Sequence, residues 1–275
     1  MALKDITLGQ YFPGQSIVHR LDPRTKLICV VCYIVALFLA QWWVTYALMF
    51  LVLAGTVKLS TISPKAILRG MKPVVFLLVF TAILNALYYP GEHVIAAFWV
   101  FEITWEGILH AFFMVVRIML LVSCTFLLTY TTSPLALTDA LESLLGPLKK
   151  IHIPVHELAM MMSIALRFIP LLIEETDKIM SAQRARGADF ESGNLLQRAK
   201  SLIPLLVPLF ISAFRRATDL AMAMEARCYR GGDGRTKMKP LHYESRDHIA
   251  YAVVWGYLVL MIVFGRLLSG TVIPF

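Results

Sequence analysis

The side chains able to do chemistry are few, and their spacing gives little support to catalysis. Glu174-Glu175-Thr176-Asp177 is the densest acidic run. Such a run can hold a divalent cation against a diphosphate, as in membrane prenyltransferases, but that chemistry ordinarily uses a second acidic run, and the chain has none. A solvated helix face is the simpler reading. His152 and His156 stand four apart, as metal-binding pairs do, yet Pro154 between them marks a helix boundary. Cys29 and Cys32 have C-x-x-C spacing inside an apolar stretch, with no second pair and no histidine cluster. They read as small buried hydrophobes rather than a redox or zinc site. The run from Gly231 to Lys237 has glycines and a lysine in the wrong order for a phosphate loop, so ATP hydrolysis by that route is excluded. No catalytic residue and no metal ligand set is assigned.

Arg117 is the one strong base well inside an apolar run, and an intramembrane charge is expensive enough to mark a functional site by default. An arginine bonded to a backbone carbonyl or reaching a polar cavity explains it equally well, since Ser123, Thr125 and Thr129 give the same segment other polar positions. Two basic tips are harder to set aside. They are Arg184-Ala185-Arg186-Gly187 and Ala226-Arg227-Cys228-Tyr229-Arg230. Arginine near a helix C-terminus offsets the partial negative charge there, which explains part of the pattern. It leaves unexplained an Ala-Arg step at the ends of two long stripes. Alanine keeps such a tip narrow, and arginine projects a planar five-donor fork that fits a groove with a carboxylate at its base. On the residues alone both readings stand.

The elements that carry these tips are legible from periodicity. Apolar residues fall at Leu158, Met162, Ala165, Ile169, Leu172, Thr176 and Ile179. They fall again at Leu196, Ala199, Ile203, Leu206, Phe210, Ala213, Ala217, Leu220 and Met224. Alternating steps of three and four are the spacing of one helical face. They predict two long amphipathic helices, one from Pro154 to about Arg186 with Gly187 just beyond it, the other from Gly193 to about Tyr229. Pro170, Pro204 and Pro208 lie inside them and should bend them. A shorter helix, Pro134 to Leu148, would take Ser133 or Thr132 as N-cap and end at Gly146-Pro147. Neither long helix is apolar all round, so both are read as lying along the membrane or crossing beneath it. Met160, Met161, Met162, Met222 and Met224 suit core filling or a surface that accepts several partners.

The rest of the chain is membrane. Of 275 residues, 58% are hydrophobic and 16% charged, against roughly a quarter charged in soluble domains. Residues 27–59 are apolar save Gln41, Thr45 and Thr56. As one helix they would reach about 50 Å, too long for a single crossing and tight for two. Basic residues flank both ends, so two short helices turning near Gln41–Trp43 are expected, with Trp42 and Trp43 at the outer interface. Further spans are expected from Pro73 to Tyr89, Gly107 to Thr131 and Ile249 to Leu268. An external loop between the third and fourth spans holds Glu92, Glu102 and Glu106, with Trp99 and Trp105 at the interface. This topology places 24 of the 26 Lys and Arg inside. The net charge of +8 is then a topology signal, and nucleic acid is not needed to explain it. The N-terminus lacks the layout of a cleaved signal peptide. The expectation is an all-α integral membrane protein of about five transmembrane helices plus about three cytoplasmic coupling helices, two of them long, amphipathic and crossing. Residues 1–132 hold the first four spans, 133–247 the coupling region and 248–275 the last span, with the N-terminus inside and the C-terminus outside.

At the two tips the sequence resembles the transmembrane T component of energy-coupling factor transporters, the ABC-type importers of vitamins and trace nutrients in prokaryotes. That family carries two Ala-Arg-Gly-type motifs at the ends of two coupling helices. Ala185-Arg186-Gly187 matches in full, and Ala226-Arg227-Cys228 matches at two of three positions. Leu21-Asp22-Pro23-Arg24-Thr25-Lys26-Leu27 resembles the family's N-terminal signature. The resemblance implies that each tip docks on one of two cytoplasmic ATPase subunits, with Arg186 and Arg227 meeting acidic residues. It implies that the apolar faces, including Leu158, Met162, Ala165, Ile169, Leu206, Phe210, Ala213 and Ala217, hold a membrane S component that binds the vitamin. ATP and Mg would be used by the partners, with no cofactor bound by this chain, and the location would be the cell membrane. Two other readings remain on the residues: a membrane enzyme acting on a lipid diphosphate through Glu174–Asp177, and a self-contained channel or secondary transporter built around Arg117.

Overall fold

The computed structural model describes residues 11–40, 42–88, 93–98, 101–190, 194–232, 238 and 240–268. Gln41, Tyr89, Glu92, Trp99, Gly193 and residues 233–237, singled out above, lie outside the described residues, as does the side chain of Glu102. The element order is α1 (Pro23–Leu39), α2 (Trp43–Ser60), α3 (Pro64–Tyr88), β1 (Val94–Phe98), β2 (Phe101–Thr104), α4 (Trp105–Thr131), α5 (Pro134–Leu145), a 3-10 turn (Gly146–Ile151), α6 (Val155–Ala185), α7 (Leu195–Ser201), α8 (Ile203–Ala226) and α9 (Ser245–Leu268). The protein is an all-α membrane protein apart from the short antiparallel β1–β2 hairpin. Among the described residues six helical segments are long and apolar enough to cross a membrane. Four of them are α2, α3, α4 and α9; the other two are α6 and the segment from Leu196 to Ala226.

Several boundaries differ from the sequence reading: α9 starts at Ser245 rather than Ile249 and α5 ends at Leu145 rather than Leu148, and two differences are larger. The third span begins nine residues early, at Pro64, and carries Pro73 inside the helix. The helix expected from Gly193 to Tyr229 is two helices, α7 and α8, separated at Leu202. Pro204 causes the break: it has no N–H to offer the carbonyl of Lys200, and its ring would collide with that carbonyl. Pro204 therefore sits in the first turn of α8, where proline is tolerated, while Pro170 and Pro208 lie inside α6 and α8 as expected. Ser133 caps α5, its Oγ accepting from the Ala136 N–H at 3.3 Å.

The chain divides into two compact units, one running from Leu141 to Pro240, the other made of the segments that end at Ala140 and restart at Leu241. The core of the second unit joins Tyr33, Ala36 and Leu37 of α1 to Met49 and Leu53 of α2, Leu120, Cys124 and Leu127 of α4, and Val254, Tyr257 and Met261 of α9. Between membrane helices such contacts stabilise through close packing rather than by leaving water, because lipid tails are as apolar as these side chains. Cys124 is buried in this core and Cys29 and Cys32 pack against it, in line with their reading as small hydrophobes.

Arg117 finds its partners here. Its Nε donates to Tyr46 Oη at 2.8 Å and its Nη2 to the Ala40 carbonyl at 3.2 Å. Ala40 is the C-cap of α1, so its carbonyl has no helical partner and is free to accept. The arginine thus ties α4 to the turn between α1 and α2.

The N-terminal signature forms a polar buckle. Asp22 caps α1, accepting from the Arg24 N–H at 2.8 Å, and pairs with the Arg24 guanidinium at 2.9 Å. Its own backbone N–H donates to Asp247 Oδ1 at 2.9 Å. Asp247 Oδ2 accepts from the Glu244 N–H at 2.8 Å, capping α9 from its third position. The Lys26 ammonium donates to the carbonyls of His19 and Thr131 at 3.0 and 2.9 Å. Arg24 also stacks on the Tyr243 ring at 4.1 Å. Asp22, Lys26 and Asp247 are all buried, and a buried charge persists only when paired and hydrogen-bonded. The His19 ring, held between Ser16 Oγ and the Phe12 carbonyl, is pushed below its ordinary pKa chiefly by burial. The start of α1, the start of α9 and the end of α4 are thereby fastened together.

Candidate docking site at the two basic tips

Both basic tips end in the same backbone device. Ala185 is the last residue of α6, Arg186 its C-cap, and Gly187 adopts φ +87°. The Gly187 N–H donates to the Arg184 carbonyl and the Ala188 N–H to the Gln183 carbonyl, each at 3.0 Å. At the second tip Ala226 ends α8, Arg227 is the C-cap, and Cys228 adopts φ +57°. The Cys228 N–H donates to the Glu225 carbonyl at 2.8 Å and the Tyr229 N–H to the Met224 carbonyl at 3.0 Å. The bonds correspond one for one. This left-handed cap satisfies carbonyls that a helix end would otherwise leave bare. It also places both arginines at the same point of the turn. Both side chains are exposed, and neither forms an ion pair among the described residues.

The helices hold the tips apart. Arg216 of α8 pairs with Glu175 of α6 at 2.7 Å, and Gly232, just beyond α8, lies against His156 in the first turn of α6. Rising numbers on one helix meet falling numbers on the other, so the two run in opposite directions. The tips therefore sit at opposite ends of α6, whose 31 residues span roughly 46 Å at the α-helical rise.

The apolar stripes face outward. Leu158, Met162, Ala165, Leu206, Phe210 and Ala217 are exposed, and Ile169 and Ala213 are half-buried. The surface is broader than the stripe read from the sequence. From Ile203, already in the stripe, Val207, Ile211 and Phe214 branch off as a second exposed row on α8, with Phe214 71% exposed. Its steps of four, four and three have the same helical period as the first row. A patch of this breadth suits cover by lipid or by a protein partner.

The acidic run is dispersed by the helix that carries it. Glu175 is engaged by Arg216, Glu174 is exposed, and the Thr176 hydroxyl donates to the Leu172 carbonyl. Among the described residues no three His, Cys, Asp or Glu side chains converge as a metal site requires. His156 Nδ1 meets Glu142 Oε1 at 2.9 Å.

A sequence profile for a family described as cobalt transport protein matches residues 14–238. A protein of Thermosediminibacter oceani is 53% identical over 264 residues, which cover 96% of this chain and 99% of that one. One of Ruminiclostridium cellulolyticum is 52% identical over 260 residues, covering 94% and 97%. One of Bacillus subtilis is 48% identical over 245 residues, covering 89% and 92%. All three are named energy-coupling factor transporter transmembrane protein. This chain belongs to that family.

As an energy-coupling factor transmembrane protein it is a multi-pass membrane component of a transporter, and the family resemblance drawn from the tips and the N-terminal signature is correct. Cys228 stands where the motif behind that resemblance has glycine, yet the backbone keeps the left-handed turn. A side chain there costs about 1 kcal/mol. Cys228→Gly is expected to relieve that cost and slow amide exchange at residues 228 and 229 about fivefold, as read by hydrogen exchange on the purified protein. Unchanged or faster exchange would show that the tip is not held in this conformation.

Proposed function

We propose that the chain is the scaffold and energy-coupling subunit of an energy-coupling factor importer. One tip docks on each of two cytoplasmic ATPase subunits, Arg186 and Arg227 entering acidic grooves. The exposed rows of α6 and α8 hold a membrane S component that binds a vitamin or similar micronutrient. ATP and Mg are used by the ATPases, and the helices pass their motion to the S component. The chain itself is non-catalytic and lies in the cell membrane of a prokaryote, N-terminus and coupling helices inside, C-terminus outside. The observation that carries this reading is the pair of matching caps, each presenting an exposed arginine, at opposite ends of one long helix. Two separated, equivalent forks suit two equivalent receptors better than one active site. The engagement of Glu175 by Arg216 and of Arg117 by Tyr46 and Ala40 weighs against the enzyme and channel readings.

Co-expression with a matched pair of ATPase subunits and an S component should yield one stable complex that imports the S component's substrate into ATP-loaded proteoliposomes. The chain reconstituted alone should move nothing. Transport by the isolated chain, or failure to bind ATPases at all, would overturn the reading.

A further inference from the structure

Beyond the second tip the chain turns twice, at Cys228 with φ +57° and at Gly231 with φ +92°, and folds back onto the first turn of α6. Gly232 arrives there with its Cα against the imidazole of His156, so closely that a methyl group at position 232 would overlap the ring. The ring cannot swing away freely, because its Nδ1 is bonded to Glu142 Oε1 at 2.9 Å and the Glu142 side chain is only 17% exposed. Beside this contact lies a cavity of about 530 Å³, bounded by Lys149, His152, Glu157, Arg230 and the residues of the contact itself. The folded-back segment is thus held on one side and open on the other. At the first tip a Cβ on Gly187 would meet open space.

We propose that Glu142, His156 and Gly232 form a brace that sets the direction in which Arg227 points, making His156 a positioning residue for the second docking tip. The proposal rests on the docking reading above. Glu142 fixes the ring, the ring fixes Gly232, and four residues separate Gly232 from Arg227. Of the two turns between them, the one at Cys228 is closed by the Cys228 N–H bond to Glu225 and the Tyr229 N–H bond to Met224, which tie the segment directly to the end of α8. Bulk at position 232 displaces the segment into the cavity without requiring α6 or α8 to unfold.

Cys228 offers a direct readout, because it is the exposed cysteine, while Cys124 is buried and Cys29 and Cys32 pack against the apolar core. A charged, membrane-impermeant maleimide is applied to the full complex with its ATPases and S component, with Cys228→Ser as background. In the native complex Cys228 should be protected relative to the free chain. In Gly232→Val and in His156→Ala labelling should rise severalfold, and uptake per ATP hydrolysed should fall, while the ATPases still co-purify through Arg186. In the double variant, His156→Ala with Gly232→Val, removing the ring makes room for the new side chain, so labelling should move back toward that of His156→Ala alone. Equal labelling of Cys228 in the native complex and the free chain would refute the docking reading itself. Native protection that persists in both single variants, with unchanged uptake per ATP, would refute the brace and leave docking standing.

Discussion

Reversing the charge at both tips, Arg186→Glu with Arg227→Glu, should abolish co-purification of the ATPase subunits and with it all uptake. Removing one partner of a buried, hydrogen-bonded charge pair at an interface costs about 2–5 kcal/mol, and reversal adds like-charge repulsion. Each single reversal should weaken assembly markedly without ending it, because the remaining tip keeps the second site at high effective concentration. The double variant loses that advantage, so its defect should exceed the product of the singles. The chain should remain folded. Both guanidinium groups are exposed and without ion pairs among the described residues, and the lost helix-dipole interaction is about 0.3–1 kcal/mol per tip. Size-exclusion chromatography of the variant alone separates loss of docking from loss of fold. Glu174→Gln with Asp177→Asn serves as the control on the acidic run and should assemble and transport normally. A double reversal that still binds ATPases and supports uptake would end the docking hypothesis.

The second large effect is expected on folding rather than assembly. Asp247→Ala strips the acceptor from two backbone N–H groups, those of Asp22 and Glu244, in a site where Asp247 is 1% exposed. It also removes one of the two carboxylates that act on the buried Lys26 ammonium. Breaking a buried charged cluster in this way costs about 3–5 kcal/mol, which lowers the melting temperature on the order of 10 °C. Asp247→Asn keeps one acceptor oxygen and should fall between the two. By contrast, Glu244 pairs with Arg246 at 3.2 Å with both side chains largely exposed. Such surface pairs are worth little, so Glu244→Gln should leave the transition within a degree or two. Thermal unfolding of the three purified variants in one detergent ranks them. Equal melting temperatures for Asp247→Ala and the native protein would show that the buckle does not hold the ends of α1, α4 and α9.

These results also mark what the sequence disclosed. The stripes and the Ala-Arg steps were legible because periodicity and helix termini are local properties, readable within a few turns. Gly187 announced its left-handed turn by being glycine. Cys228 did not, because the roughly 1 kcal/mol that a side chain costs there is small enough for the two closing hydrogen bonds to override. Pro204 was read as a bend rather than a break, since nothing in the sequence says which proline in an apolar helix will be absorbed. The N-terminal signature was recognisable by resemblance alone; its physical purpose rests on Asp247, 225 positions away from Asp22, and no local pattern links them. Arg117 was visible as an anomaly, but the Tyr46 hydroxyl and the Ala40 carbonyl that satisfy it lie more than 70 residues off.

The cap at Cys228 bears on how tips of this kind should be written down. Spelled as three letters, the second tip is a mismatch; spelled as two hydrogen bonds and one positive dihedral, it matches the first. Asparagine and aspartate enter the same left-handed region more readily than most residues. A helix that closes in Ala-Arg-Asn or Ala-Arg-Asp would therefore keep the same cap. A search phrased in backbone shape would gather such chains with this one, where a search phrased in letters would scatter them.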